Sequence, residues 1–279
     1  MAGQGLSHDD HRRDAAGLVY VYPVLSRRSG GLSIGINLNP NRACNWRCIY
    51  CQVEGLVRGA APTIDLALLR TELTGFMAQV LDGSFAAHAG TNALELRDFA
   101  ISGDGEPTSA HEFPEVVQIV AEVRGAASAA LVLITNGSLV AQVRVQEGLR
   151  VLAAHGGEVW FKLDRGTDEG LRAVNDAGIS AERALSNLIT CAKLCPTRVQ
   201  AAMFAVDGAP PSEAECAAWL ALLERALASG APLRGVTLYG LARASHQPEA
   251  ARLTQLDAAW LEALAARVRS LGLQAQVHL

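Results

Sequence analysis

Cys44, Cys48 and Cys51 crowd one short stretch of this 279-residue chain, Arg42-Ala-Cys-Asn-Trp-Arg-Cys-Ile-Tyr-Cys-Gln52. Their C-x3-C-x2-C spacing lets all three converge on one soft metal centre, because thiolate sulfur favours zinc, copper(I) or an iron–sulfur cluster. A cubane cluster normally takes four such ligands, and the next cysteine in the chain is Cys191. A [4Fe–4S] cluster on these three residues keeps one iron free of protein ligands. An open coordination position marks a metal used for chemistry rather than for scaffolding. The alternatives are a zinc knuckle that borrows a remote histidine or cysteine, and three unrelated core thiols.

Further polar groups fall where strand-like segments end. In Ser102-Gly-Asp-Gly-Glu-Pro-Thr108, Gly103 and Gly105 flank Asp104 and free the backbone to approach a ligand, while Pro107 fixes the turn after Glu106. Unpaired peptide groups there can bind a zwitterion; an ordinary strand-to-helix turn has the same composition. Thr135-Asn136-Gly137 ends another apolar run, and Asn before Gly suits a tight turn. In Trp160-Phe-Lys-Leu-Asp164, strand alternation puts Lys162 and Asp164 on one face. Two opposite charges on an interior strand are costly unless they pair with each other or serve a ligand. Asp164 lies nearer the strand end and is the better placed of the two for a ligand. Only two of the 24 Lys and Arg residues are lysines, Lys162 and Lys193, which singles out the one inside a strand. Tyr239, Arg243 and His246 either line a substrate mouth or sit on the surface. Cys191 and Cys195 precede a strand whereas Cys216 follows one, so these three fall at opposite ends of a sheet and read as core or surface thiols.

The elements that position these groups alternate strand and helix. Strands are predicted at 18–25, 32–38, 98–102, 130–135, 158–164, 198–206, 235–241 and 274–279. Helices are predicted from an N-cap at Thr63 to Leu81, then over 112–124, 143–154, 168–174, 180–194, from an N-cap at Ser212 to Leu227, and over 256–271. Repeated β-then-α units with apolar strands imply a parallel sheet covered by helices. Six units after Leu32 are too few for a closed eight-unit barrel. A partial (β/α)6 barrel with an N-terminal strand extension fits the count, and a doubly wound sheet competes with it. A single domain over 1–279 is expected, with residues 1–17 as a flexible tail.

Half of the residues are apolar and 19% are charged, so the chain has ample core material. No apolar run reaches the roughly 18 to 20 residues of a membrane span, and the polar, mixed-charge Met1–Asp14 is no secretory signal. Six irregularly spaced cysteines do not form a secreted disulfide framework, which points to a cytoplasmic protein. The net charge of −4 does not support a nucleic-acid footprint over the whole molecule. A local patch is left open by Arg27, Arg28, Arg42, Arg47 and Arg58 around the cysteines.

The cysteine spacing, with Tyr50 just before the third thiol, resembles the signature of the radical S-adenosylmethionine (SAM) enzymes. Ser102–Thr108 resembles that family's Gly-Glu-Pro segment, one strand after the cysteines. Tyr22-Pro-Val-Leu-Ser-Arg-Arg28, Gly31-Leu-Ser-Ile-Gly35, Thr135-Asn136-Gly137 and Lys162-Leu-Asp164 extend the likeness to the subgroup related to the tRNA wyosine-base synthases. The resemblance implies the six-unit open barrel, one [4Fe–4S] cluster on Cys44, Cys48 and Cys51, and SAM at the open iron. It also implies an external one-electron donor of flavodoxin or ferredoxin type, and a 5'-deoxyadenosyl radical that abstracts hydrogen from an unidentified substrate. By the same likeness Gly103, Asp104, Gly105, Glu106 and Pro107 hold the SAM amino group, and Thr135 and Asn136 border the ribose or the substrate. Lys162 and Asp164 would contact the ribose, the carboxylate or the substrate, and Tyr50 would pack near adenine. Arg27 or Arg28 would bind an anionic part of the substrate or steady the cluster loop. The wyosine enzymes carry a second cluster on extra N-terminal cysteines, and this chain has no cysteine before Cys44. RNA, peptide and small-metabolite substrates stay open, as does a non-enzymatic iron–sulfur or zinc protein.

Overall fold

A computed structural model describes residues 17–26, 30–88, 94–241 and 243–279. Arg27 and Arg28 lie outside the described residues, as does nearly all of the expected 1–17 tail. Eight strands form one sheet in sequential order: β1 (Val21–Ser26), β2 (Gly31–Asn37), β3 (Leu96–Ser102), β4 (Ala130–Thr135), β5 (Glu158–Lys162), β6 (Thr197–Ala202), β7 (Leu233–Tyr239) and β8 (Ala275–His278). β1 pairs antiparallel with β2, Val21 facing Ile36, and every other pairing is parallel.

The helices are α1 (Leu66–Leu81), the short α2 (Ser84–His88), α3 (Phe113–Arg124), α4 (Val143–Ala154), α5 (Asp168–Asn175), α6 (Ala181–Leu194), α7 (Glu213–Ala228) and α8 (Ala258–Ser270). They pack side by side, α1 on α3, α3 on α4, α4 on α6, α6 on α7 and α7 on α8. A sequential strand order with one continuous helical layer has no point at which the winding reverses. The doubly wound alternative is thereby excluded. β1 and β8 are the two ends of the sheet, so the result is an open (β/α)6 barrel, with β1 added at one edge and β8 at the other. One apolar core runs through it from Tyr20 to Leu273, with Phe99, Phe113, Phe161 and Trp219 fully buried.

Several predicted boundaries shift, the first two below because side chains take backbone groups. β1 starts at Val21 rather than Leu18 because Val19 N and Tyr20 N both donate to the Glu72 carboxylate of α1, at 2.8 Å each. α1 is capped by Asp65, whose side chain accepts from Leu68 N at 2.9 Å, and not by Thr63. The run 198–206 breaks at Met203: β6 ends at Ala202, and Phe204–Val206 leaves the sheet to pair with Leu253–Gln255. The cap at Ser212 is present as predicted, and Ser180 caps α6.

Candidate active site at the barrel mouth

The cysteine loop leaves β2 through Asn37-Leu-Asn-Pro-Asn41, and three asparagines shape its first turn. Asn37 Oδ1 accepts from Asn39 N and from Asp104 N, at 3.0 Å each. Asn39, fully buried, donates to Ala43 O at 2.9 Å, and Asn41 donates to Ala60 O at 3.0 Å. Arg42 sits in the left-handed region at φ 54°. A two-residue parallel pairing of Ala43–Cys44 with Val57–Arg58 closes the base of the loop.

Its far side is clamped to the end of α5. Arg47 N donates to Asn175 O at 3.1 Å and Ile49 N to Val174 O at 2.8 Å. The segment after β7 straps it from above. His246 N donates to Cys51 O at 2.9 Å, Ser245 Oγ to Ile49 O at 2.7 Å, and Arg243 to Gln52 Oε1 at 3.1 Å. Arg47 forms a two-pronged pair with Glu249, 2.9 Å on each side. Arg58 pairs with Asp176 and donates to the Asn45 carbonyl. Two of the arginines near the cysteines are thus neutralised by carboxylates. Arg243 and His246 serve as braces for the cysteine loop.

All three loop thiols are half-buried. Cys44 Sγ accepts from Trp46 N at 3.5 Å, and Cys48 Sγ accepts from Asn175 Nδ2 at 3.2 Å. Burial is the main cause that pushes the Cys44 thiol up to about 12 and Cys48 up to about 11. Both are therefore protonated at neutral pH until a metal displaces the proton. Sulfurs already facing N–H donors suit anionic thiolates, so the donor set fits an iron–sulfur cluster. Among the described residues no three His, Cys, Asp or Glu are gathered as ligands of a single ion. A cubane instead takes each thiolate on a different iron. Cys191, Cys195 and Cys216 are buried in the core.

Gly103–Gly105 lies half-exposed against the root of the cysteine loop. Gly103 has φ +151°, and a Cβ there would strike Asn37 Oδ1. A Cβ on Gly105 would run into the Ala43 carbonyl oxygen, so this glycine is required by the neighbouring loop and not by a ligand alone. Asp104 accepts from Asn37 Nδ2 at 2.8 Å.

Glu106, 2% exposed, accepts from Thr108 N (3.1 Å), Thr108 Oγ1 (2.6 Å), Thr135 Oγ1 (2.6 Å) and Asn136 N (2.7 Å). Burial raises its pKa against the pull of these four donors. Its carboxylate thus ties the segment after β3 to the end of β4. Asn136 Nδ2 in turn donates to Asn45 Oδ1 at 2.9 Å, joining β4 to the cysteine loop. The Glu106 and Thr135 side chains are therefore committed to scaffolding, and backbone is what this segment offers a ligand.

The anticipated Lys162–Asp164 ion pair is not made. Asp164, 2% exposed, accepts from Tyr50 OH (2.5 Å), Asn175 Nδ2 (2.7 Å) and Ala202 N (2.8 Å). Taking Ala202 N is also what ends β5 at Lys162. Lys162 Nζ donates instead to Tyr239 OH at 2.6 Å and lies 4.8 Å from the Tyr50 ring centre. Burial works to lower its pKa, but Tyr239, Asp164 and Cys48 outweigh that, and the net shift is upward. Asp164 is held by three protein donors, whereas Lys162 is half-buried and, among the described residues, has no carboxylate at ion-pair distance. Tyr50 packs on Phe204, ring centres 5.3 Å apart, and burial raises its pKa well above the usual value.

Sequence reading missed Asn175, fully buried and touching both Cys48 and Asp164, and it missed Asn37, Asn39 and Glu249. The three asparagines at alternate positions before the cysteines were the one available signal. Nothing local announces Asn175 or Glu249.

Residues 38–220 match the Radical SAM superfamily. A UPF0026 protein of Helicobacter pylori is 30% identical over 135 residues, covering 46% of this chain and 38% of that protein. The chain thus spans well under half the length of this curated relative. Among solved structures, a radical SAM methyltransferase from Sphaerobacter thermophilus is similar with a TM-score of 0.58 and 14% identity, covering 92% of this chain and 69% of that one. TYW1 with a lysine–pyruvate adduct bound has a TM-score of 0.54 and 17% identity, covering 85% and 73%. At these identities the structural likeness speaks for the fold.

Proposed function

The chain belongs to the radical SAM superfamily, and from that premise we propose a one-cluster enzyme in which Cys44, Cys48 and Cys51 hold [4Fe–4S]. When bound, the cluster and SAM supply a one-electron cleavage that yields methionine and a 5'-deoxyadenosyl radical able to take hydrogen from a substrate. The observation that carries this reading is the presentation of three half-buried thiols on a braced loop at the mouth of an open barrel. The neighbouring groups have distinct parts. Gly103–Gly105 offers backbone to the SAM amino group. Lys162 takes an anionic group, either the SAM carboxylate or one on the substrate. Asp164 ties Tyr50 of the cysteine loop and Asn175 of α5 to the end of β5. Glu106 and Thr135 fix the two strand ends on which SAM rests, and Asn136 borders the ribose or the substrate.

The reaction needs an external electron donor, which we take to be of flavodoxin or ferredoxin type, in keeping with a reducing cytoplasm. Among the described residues no helix is long and apolar enough to cross a membrane. The lysine–pyruvate adduct of TYW1 is not carried over to Lys162.

Anaerobic reconstitution tests the reading. The wild type should take up about four irons and four sulfides, and Ala at Cys44, Cys48 or Cys51 should abolish this while Ala at Cys191, Cys195 or Cys216 does not. The reduced protein should also release 5'-deoxyadenosine slowly from SAM alone. A colourless protein that retains only zinc would favour the non-enzymatic metal-binding alternative.

A further inference from the structure

Asn175 closes α5, is fully buried, and lies 127 residues from the cysteine it touches. Its Nδ2 donates to Cys48 Sγ at 3.2 Å and to Asp164 Oδ2 at 2.7 Å, while its Oδ1 has no partner. The side-chain amide has two possible orientations, and its surroundings choose between them. Asp164 Oδ2 already receives Tyr50 OH at 2.5 Å, and Oδ1 receives Ala202 N at 2.8 Å. A flipped amide would set its oxygen against that carboxylate oxygen, acceptor against acceptor. Asp164 therefore fixes the NH2 group inward, and its second hydrogen is left for Cys48. The orphaned Oδ1 is the cost of this orientation, and it persists because both Nδ2 hydrogens are used.

We infer that Asn175 is a positioning residue that sets the reduction potential of the cluster through an N–H···S bond to Cys48, with Asp164 holding the amide in place. This deepens the proposed function and rests on it. The physical reason is charge. A reduced cluster carries one more negative charge than an oxidised one, shared onto its thiolates, so a donor aimed at a ligand sulfur stabilises the reduced form more. Hydrogen bonds to ligand atoms are a recognised means of tuning a metal site. Backbone contacts from the same turn, Asn175 O with Arg47 N and Val174 O with Ile49 N, keep Cys48 within reach.

The test is an EPR-monitored redox titration of the anaerobically reconstituted protein without SAM. Asn175→Leu keeps the bulk and removes the N–H. Its cluster should be about tenfold harder to reduce at a given poise, which is about 59 mV lower for a one-electron couple. Asn175→Ser, whose hydroxyl is too short to reach the sulfur, should shift in the same direction and decides the matter if the Leu variant fails to hold iron. In the wild type, ENDOR of the reduced cluster should show two coupled protons that exchange in D2O, one from Trp46 N–H on Cys44 and one from Asn175 on Cys48, the second being lost in the Asn175 variants, and its absence from the wild type would refute the inference without any variant. Potentials that coincide in iron-replete wild type and variants would overturn it while leaving the functional reading intact. A wild type that takes up no four-iron cluster would bring both down.

Discussion

Glu106 is the residue whose replacement most directly tests the scaffold reading of the Gly-Glu-Pro segment. Its carboxylate is 2% exposed and collects two backbone N–H groups, of Thr108 and Asn136, and two hydroxyls, of Thr108 and Thr135. In Glu106→Ala the hydroxyls can rotate to other acceptors, but the two N–H groups lose their partner inside the protein. Each costs about 1–3 kcal/mol. Removing a carboxylate whose burial raises its pKa returns part of this. The net loss should be about 2–4 kcal/mol, a large share of the roughly 5–15 kcal/mol of a typical domain. Glu106→Gln can keep its oxygen where Oε1 sits, but it turns an NH2 toward Asn136 N, so it should lose about 1–2 kcal/mol. Glu112→Ala is the control, because that half-buried side chain accepts, among the described residues, only from Ile64 N at 3.2 Å. It should cost under about 1 kcal/mol. Urea unfolding at pH 7 of the apoprotein measures all three. If Glu106→Ala falls within about 0.5 kcal/mol of Glu112→Ala, the four donors are not being held by Glu106 and the scaffold assignment is wrong.

Gly105→Val should lower iron content as well as SAM affinity, since its Cβ collides with the carbonyl just before Cys44; normal iron with weak SAM binding would return Gly105 to a purely ligand-facing role. Lys162→Met should keep the cluster but weaken binding of SAM or of the substrate by about tenfold or more, roughly 1.4 kcal/mol, in equilibrium dialysis; unchanged affinity for both would leave the ammonium without a part. Cys191 and Cys195 are pushed up to about 12 by burial, whereas an unfolded thiol titrates near about 8.5. Their raised folded values give stability that is present below the unfolded pKa and lost as pH rises towards about 12. Between those limits the two thiols together should remove up to roughly 2.7 kcal/mol per pH unit. A Cys191→Ala/Cys195→Ala protein should show a visibly flatter decline of urea midpoint above pH 9, and parallel declines would count against the assignment.

The features that were legible in sequence are those whose cause is local. Ser212 caps its helix because its own hydroxyl reaches the third residue onward, and the three cysteines announce themselves by spacing. Thr63 failed as a cap because Asp65 does the same work two residues later, while Tyr20 OH and Glu112 hold the preceding N–H groups. Alternation correctly put Lys162 and Asp164 on one face, and Phe161 and Leu163 between them turn into the core. It carries no information about which partners that face meets. The carboxylate therefore went to Tyr50, Asn175 and Ala202, contributed by the cysteine loop, the end of α5 and the end of β6.

The same limit explains how the cysteine loop is held. Apart from its two-residue bridges the stretch from Leu38 to Ile64 is neither helix nor strand, so it cannot satisfy its peptide groups by a ladder of its own. Side chains supply the missing partners: Asn39 for Ala43 O, Asn41 for Ala60 O, Arg58 for Asn45 O, Ser245 for Ile49 O and Gln247 for Val53 O. These braces come from the end of β2, from the loop itself and from the segment after β7, which closes over the loop only once the barrel is formed. The loop that carries the three thiols is thus held by partners from three parts of the fold rather than by a ladder of its own.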